Sequence, residues 1–362
     1  MANSLFTPLT AGAFTLPNRI VMAPLTRARA TREHVPTPRM ADYYAQRAGA
    51  GLIISEASPI SKQGAGWPWS PGLWTEEQVA AWVPVTQAVH DAGGRIVAQL
   101  WHMGRVVHPS LSGEQPVSAS ALLAPGEAHT YEGKQPYAEP RALRTDEIPG
   151  LIESYVQGAR NAIRAGFDGI QLHAANGYLI DQFLRDSSNV RTDQYGGSIE
   201  NRARLLLEVT QAIADAIGRE RTSVRLSPNG NSNGVIDSDP AALFTYVAQE
   251  LDRIGIAFLE MREGRATGFG ATDQAPVSLV IREHFKGVLI LNGDYTPEEA
   301  AETVAAGKAD AIAFGRPFIG NPDLPVRIET GAELAPSDMA TWYSQGDEGY
   351  ADYPPLDAAV AA

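Results

Sequence analysis

A chain of 362 residues, 44% hydrophobic and 20% charged, is long enough for one large core and has the composition of an ordinary globular protein. Its formal net charge of −13 argues against nucleic-acid and anionic-membrane partners, which select for excess Lys and Arg, so any phosphate must be gripped locally. The sequence has no cysteine, which excludes disulfides, cysteine-ligated iron–sulfur clusters and thiol nucleophiles.

The N-terminal stretch MANSLFTPLTAGAF lacks a basic region followed by a continuous apolar segment, and no run of about eighteen apolar residues occurs. A soluble, cytoplasmic protein is expected. In chain order, eight short runs rich in Val, Ile and Leu then read as strands buried on both faces: RIVMAP, GLIISEA, RIVAQL, DGIQLHA, TSVRLSP, IAFLEM, VLILNG and DAIAFG. The segments between them have helical spacing. In the clearest, Ile148, Leu151, Ile152, Tyr155, Val156, Ala159 and Ile163 mark one face. Thr75 with Gln78 and Thr296 with Glu299 predict capping boxes, with Pro297 at a first helical position, where its missing N–H costs nothing. Gly93, Gly166, Gly218, Gly255 and Gly307 predict left-handed helix ends, and Pro84 predicts a kink in the second helix.

Strand then helix, eight times over, predicts an α/β fold of the parallel (β/α)₈ TIM-barrel type. An open doubly wound sheet is the alternative, but no Gly-rich dinucleotide fingerprint follows the first strand. The longest break in the alternation, about 102–144, is rich in Pro, Gly and Ser and is expected to cap the barrel after strand three with some structure of its own. One domain spanning 1–362, with a C-terminal tail from about 345 to 362, is the expected organisation.

In such a barrel the C-terminal strand ends and the loops after them form the active face. Collected by that address are Pro24, Leu25 and Thr26; Ala57; Gln99 and Trp101; His173, Asn176 and Tyr178; Arg225; Asn292 and Gly293; Gly315 and Arg316. Each alone has a bland reading as a loop hydrogen bond, a core histidine or a packed ring. Their shared face favours a site. The glycines of strands seven and eight, beside the fixed cation of Arg316, suit a phosphate. Arg225, deeper in the ring, suits negative charge in the middle of a long ligand.

Flavin mononucleotide fits that layout. Gln99 can donate to and accept from the flavin pyrimidine edge, and Arg225 can stabilise the anionic reduced ring. His173 and Asn176 form a pair of donors able to polarise one carbonyl, and Tyr178 supplies a phenolic proton. That apparatus suits reduction of an activated C=C bond. Two rivals share features of it. A cofactor-free barrel lyase or isomerase acting on a sugar phosphate would be colourless and would need a strand-end Lys or carboxylate, for which Glu56 and Glu260 are candidates. A flavin-binding sensor without turnover would not need Tyr178 beside the donor pair.

From SLFTPL and NRIVMAPLTR through AQLWHMGR, GFDGIQLHAANGYLIDQFLRDSSNVRTDQYGGSIENR and FGRPFIGNPDL to GYADYP, the chain resembles the Old Yellow Enzyme family of FMN-dependent ene-reductases. It is most similar to the bacterial branch of the N-ethylmaleimide and 2-cyclohexenone reductases. The resemblance implies tightly bound, non-covalent FMN, reduced by NADPH or NADH and reoxidised by enones, maleimides and nitro compounds. It implies that Thr26 hydrogen-bonds the flavin, that Pro24, Leu25, Ala57, Gln99 and Arg225 contact the ring system, and that Asn292, Gly293, Gly315 and Arg316 hold the phosphate region. His173 and Asn176 would bind the substrate carbonyl, Tyr178 would donate the proton, and Trp67, Trp101 and Trp342 would shape the pocket. Relatives carry His or Asn where Asn176 stands, and many carry Phe or another aromatic where Trp342 stands. A monomer or homodimer is expected.

Overall fold

The computed structural model of the protein describes residues 2–267 and 271–356. Each of the eight apolar runs forms a strand: β1 (Ile20–Met22), β2 (Leu52–Ile54), β3 (Ile96–Trp101), β4 (Gly169–Ala174), β5 (Thr222–Leu226), β6 (Phe258–Arg262), β7 (Val288–Asn292) and β8 (Ala311–Phe314). Every one pairs in parallel with its sequence neighbours, and β8 returns to β1 through the Ile312 to Ile20 register. The sheet therefore closes into a (β/α)₈ barrel with no open edge, which an open doubly wound sheet would have.

Helices follow the strands: α1 (Arg39–Ala45), α2 (Glu76–Asp91), α3 (Ile148–Arg164), α4 (Ile199–Ile217), α5 (Pro240–Ile254), α6 (Ser278–His284), α7 (Pro297–Ala305) and α8 (Leu324–Thr330). Both capping boxes form where the sequence places them. The Thr75 hydroxyl accepts from the Gln78 amide while Gln78 Oε1 accepts from the Thr75 amide, and Thr296 and Glu299 repeat the exchange. All five predicted glycine ends have φ between +67° and +96°. Helix α2 runs as a single element through Pro84, on its exposed side. Ala80, whose carbonyl the proline ring leaves unpaired, is exposed too, so water can meet that carbonyl.

Strand alternation sorts the core into two layers. Outward residues such as Ile20, Ile53, Ile170, Leu172, Val224, Leu259, Leu289 and Ile312 pack against the helices. Inward residues at the N-terminal end, among them Val21, Leu52, Ile54, Val97, Phe258 and Ile290, fill the barrel with apolar side chains. The hairpin of Leu9–Ala11 and Phe14–Leu16 closes that end. Phe14 packs edge-on to Phe258 with centroids 6.5 Å apart, and a Cβ at Gly169 would stand 2.8 Å from its ring, so the plug requires glycine there. Toward the C-terminal end the inward positions turn polar: Gln99, Gln171, His173, Arg225, Glu260 and Asn292. The floor is sealed and the top is not.

The 102–144 segment contains a 3₁₀ turn at Gly104–Val106, a helical turn at Pro109–Ser112, a hairpin of Glu127–Thr130 with Gly133–Pro136, and a parallel pairing of Val117–Ser118 with Arg141–Ala142. Of the expected C-terminal tail, 345–356 is ordered chain, and 357–362 lies outside the described residues. Among the described residues no helix is long and apolar enough to cross a membrane, and no group of His, Cys, Asp and Glu is arranged to hold a metal.

Candidate active site

A cavity of about 1040 Å³ opens over the C-terminal strand ends. Its wall brings together Pro24, Leu25 and Thr26 after β1, Trp101 at the end of β3, Asn176 and Tyr178 after β4, and Arg225 of β5. Asn292 and Gly293 at the end of β7, Gly315 and Arg316 after β8, and Trp67 and Trp342 also line it. Three predicted residues do not reach that wall. His173 lies one step further in. Gln99 is buried in the barrel with its amide donated to Gln171 Oε1 at 2.7 Å. Ala57 belongs to an apolar cluster with Trp101 and Met103.

Beneath the cavity the inward polar residues join into one ladder across five strands. Gln99 donates to Gln171, Gln171 Nε2 donates to Glu260 Oε2 at 2.7 Å, and Glu260 Oε1 lies 3.4 Å from Arg225 Nε as an ion pair. Arg225 in turn donates to Asn292 Oδ1 at 3.0 Å, and Asn292 Nδ2 donates to the Ala313 carbonyl at 2.8 Å. Burial pushes the Glu260 carboxyl up, while the Arg225 cation and the Gln171 hydrogen bond pull against it. Arg225 Nε and Glu260 Oε1, though paired by charge, have no hydrogen-bond partner. The guanidinium is therefore anchored from below and faces the cavity with donors to spare. That donor set fits a ligand with negative charge at its centre.

The turn after β4 is built otherwise. The His173 ring stacks parallel to Trp101 at 6.2 Å and meets Tyr178 edge-on at 4.9 Å, while Trp101 and Tyr178 are edge-on at 4.9 Å. The Ala175 amide donates to His173 Nδ1 at 3.3 Å, which leaves the neutral ring with its proton on Nε2. Burial, helped by the Arg225 charge, holds the imidazole well below its ordinary range, so it acts as a neutral donor. Burial raises the Tyr178 phenol well above its ordinary value. Asn176 occupies a left-handed conformation at φ +56°, its backbone N–H donating to Ser227 Oγ at 2.7 Å. The Gly177 amide goes to Asp181 of the short helix Leu179–Leu184 at 2.9 Å, and Gln182 of that helix donates to the Gly177 carbonyl at 2.7 Å.

At the ends of β7 and β8 the chain passes close to the cavity. A Cβ at Gly293 would stand 2.7 Å from the Glu263 carbonyl oxygen. Arg316 pairs with Asp294 at this corner, and Arg262 also lines the wall. Trp342 is placed by distant chain: Arg27 and Arg29 both donate to its carbonyl at 3.0 Å, and its indole donates to Ser337 Oγ at 3.0 Å. Sequence reasoning missed Gln171, Asn233, Arg262 and Asp294. The first was within reach, since Gln171 shares strand parity with His173 inside an apolar run. The others sit in loops or at a strand end without a motif.

Residues 4–335 match the NADH:flavin oxidoreductase / NADH oxidase family. Among curated proteins, the chain is 46% identical over 356 residues to a Leishmania infantum protein named "Probable flavin mononucleotide-dependent alkene reductase", across 96% of each chain. It is 43% identical over 360 residues to 12-oxophytodienoate reductase 1 of Oryza sativa subsp. japonica, covering 98% of this chain and 93% of that one. Among solved structures, the old yellow enzyme homologue from Zymomonas mobilis superposes with a TM-score of 0.97 at 60% identity, over 97% of this chain and 99% of that one. Morphinone reductase in complex with tetrahydroNAD gives 0.93 at 49%, over 98% of each.

Proposed function

The chain belongs to the NADH:flavin oxidoreductase / NADH oxidase family, and on that premise we propose how its own residues carry the reaction. It is a flavin-dependent oxidoreductase of the Old Yellow Enzyme type that reduces activated C=C bonds. We assign it FMN, held without a covalent bond and reduced by NADPH or NADH.

The residues suit that group. Pro24 and Leu25 would offer an apolar floor, Thr26 a hydroxyl and Arg225 a buried cation to the ring system, while Asn292, Gly293, Gly315 and Arg316 would hold the phosphate. When bound, the flavin supplies a hydride to the β-carbon of an α,β-unsaturated carbonyl compound. His173, through Nε2–H, and the Asn176 amide donate to the substrate carbonyl oxygen and hold the charge that develops there. Tyr178 keeps its proton at neutral pH and gives it to the α-carbon: its O–H bond breaks, a C–H bond forms, and solvent reprotonates the phenolate. Trp67, Trp101 and Trp342 confine the substrate, with enones and maleimides as its class.

The observation that carries this reading is the buried, neutral His173 set edge-on to Tyr178 and beside Arg225 of the adjacent strand, with Tyr178 and Arg225 both lining the cavity. It is tested on the purified protein by its visible spectrum, anaerobic bleaching with NADPH or NADH, and reoxidation by 2-cyclohexenone. A colourless protein, or a flavin that 2-cyclohexenone does not reoxidise, would overturn it.

A further inference from the structure

The proton donor sits on a turn that its own strand does not fully hold. Asn176 and Gly177 are both left-handed, at φ +56° and +74°, a geometry that persists only where neighbours enforce it. A Cβ at Gly177 would lie 2.4 Å from the Ser232 carbonyl oxygen and 2.8 Å from Asn233 Cβ, so the loop after β5 is pressed against this turn. From that loop Asn233 Nδ2 donates to the Asn176 carbonyl at 2.8 Å. The same side chain stands near the Tyr178 phenol and works against the rise that burial gives its pKa. Asn233 is itself left-handed, at φ 52° and ψ 28°. It is fixed from the cap: Arg105 donates to the Asn233 and Gly234 carbonyls at 3.1 and 3.2 Å, and to Leu122 at 3.2 Å.

We propose that Asn233 is a positioning residue for the proton donor: its amide, on a backbone that the cap holds through Arg105, clamps the Asn176 carbonyl and so fixes the turn that carries the Tyr178 phenol. This rests on Tyr178 being the donor. An amide near the phenol favours the phenolate left after proton transfer, whereas a carboxylate in its place would oppose that anion and could not donate to the Asn176 carbonyl. Asparagine also tolerates the left-handed backbone that a β-branched or bulky residue would strain.

The test uses the flavin-loaded full chain. Asn233→Gly keeps the left-handed backbone and removes the amide, and Asn233→Asp keeps size and backbone but reverses the hydrogen-bonding role. Reoxidation of the reduced enzyme by 2-cyclohexenone, which needs a proton on carbon, is compared with reoxidation by 1,4-benzoquinone, which does not. Asn233→Gly should slow the enone reaction about tenfold, the rate equivalent of one hydrogen bond, with the quinone reaction within about twofold. Asn233→Asp should be slower still on the enone. Combined with Tyr178→Phe, Asn233→Gly should add no further loss, because both act through one phenol. Equal losses on enone and quinone, a parental enone rate in Asn233→Gly, or additive losses in the double variant would overturn the assignment. If Tyr178→Phe alone keeps the parental enone rate, the proton-donor reading falls and this inference with it. If Tyr178→Phe is selective and Asn233→Gly is not, only the role of Asn233 falls.

Discussion

At the ends of β7 and β8 the pocket is charged and open: the Arg316 side chain is 40% exposed and its guanidinium pairs with Asp294. At the end of β4 it is neutral and closed, with His173 buried against Trp101 and Tyr178 and held below its ordinary pKa. Exposed charges can exchange partners as a ligand arrives, and salt screens them. Buried neutral donors cannot reorganise, which is the condition under which they act strongly on charge that develops during reaction. One end is therefore suited to capture and the other to chemistry. Arg225 joins them, since its cation both faces the cavity and depresses His173.

Substitutions at the closed end should cost rate and leave flavin binding intact. The largest effect is expected from Tyr178→Phe, which keeps the ring and removes the proton. Reoxidation by 2-cyclohexenone should fall by about 10²–10⁴-fold, with reduction by NADPH and turnover of quinones largely preserved. Equal loss of all three activities, measured by stopped flow, would make Tyr178 a structural residue. His173→Ala removes one of the two proposed carbonyl donors and should cost about 10²–10³-fold in enone turnover. It should also weaken binding of phenols, read from their long-wavelength charge-transfer absorbance, and an undiminished band would place the oxygen site elsewhere.

Substitutions at the open end should do the reverse. Arg316→Ala should lower FMN affinity by about 10- to 100-fold, the scale of charge-assisted hydrogen bonds. The salt dependence of FMN binding should weaken with it, and fluorescence titration at two ionic strengths checks both. Asp294→Asn is a milder change. Asp294 is left-handed at φ +55°, which Asn also accepts, so the variant removes a negative charge near the proposed phosphate corner without disturbing the backbone. FMN binding should tighten by about threefold at low salt and converge with the parent at high salt. The smallest expected effect is that of pH. A histidine whose pKa is depressed by folding stays neutral above its lowered value, and a phenol whose pKa is raised stays protonated below its own. Enone reoxidation should therefore be flat between about pH 6 and 9, and a bell-shaped profile there would show that the closed end is not neutral.

The turn after β4 was the most legible part of the site, because His173, Asn176 and Tyr178 lie within six positions at the end of an apolar run. Arg316 was legible for a similar reason, standing beside Gly315 where a strand ends. Gln99 was placed on the right strand, but its amide turns to Gln171 rather than to the cavity wall. Its partner came from a strand 72 residues away. Asn233 carried no signal at all, since SPNGNSNGV is a polar loop like many others until it meets the turn from β4.

What the sequence determined by itself was whatever neighbouring residues settle among themselves. The eight strands follow from runs of Val, Ile and Leu, the helix starts from Thr75 and Thr296, and the helix ends from glycines that accept positive φ without a Cβ clash. Tertiary structure decided which of those ends share a pocket. The Gln171 to Glu260 bond spans 89 residues and the Arg27 to Trp342 bond spans 315. Such pairs depend on barrel closure and strand register, and a one-residue slip of a strand would turn its inward polar groups out to the helices.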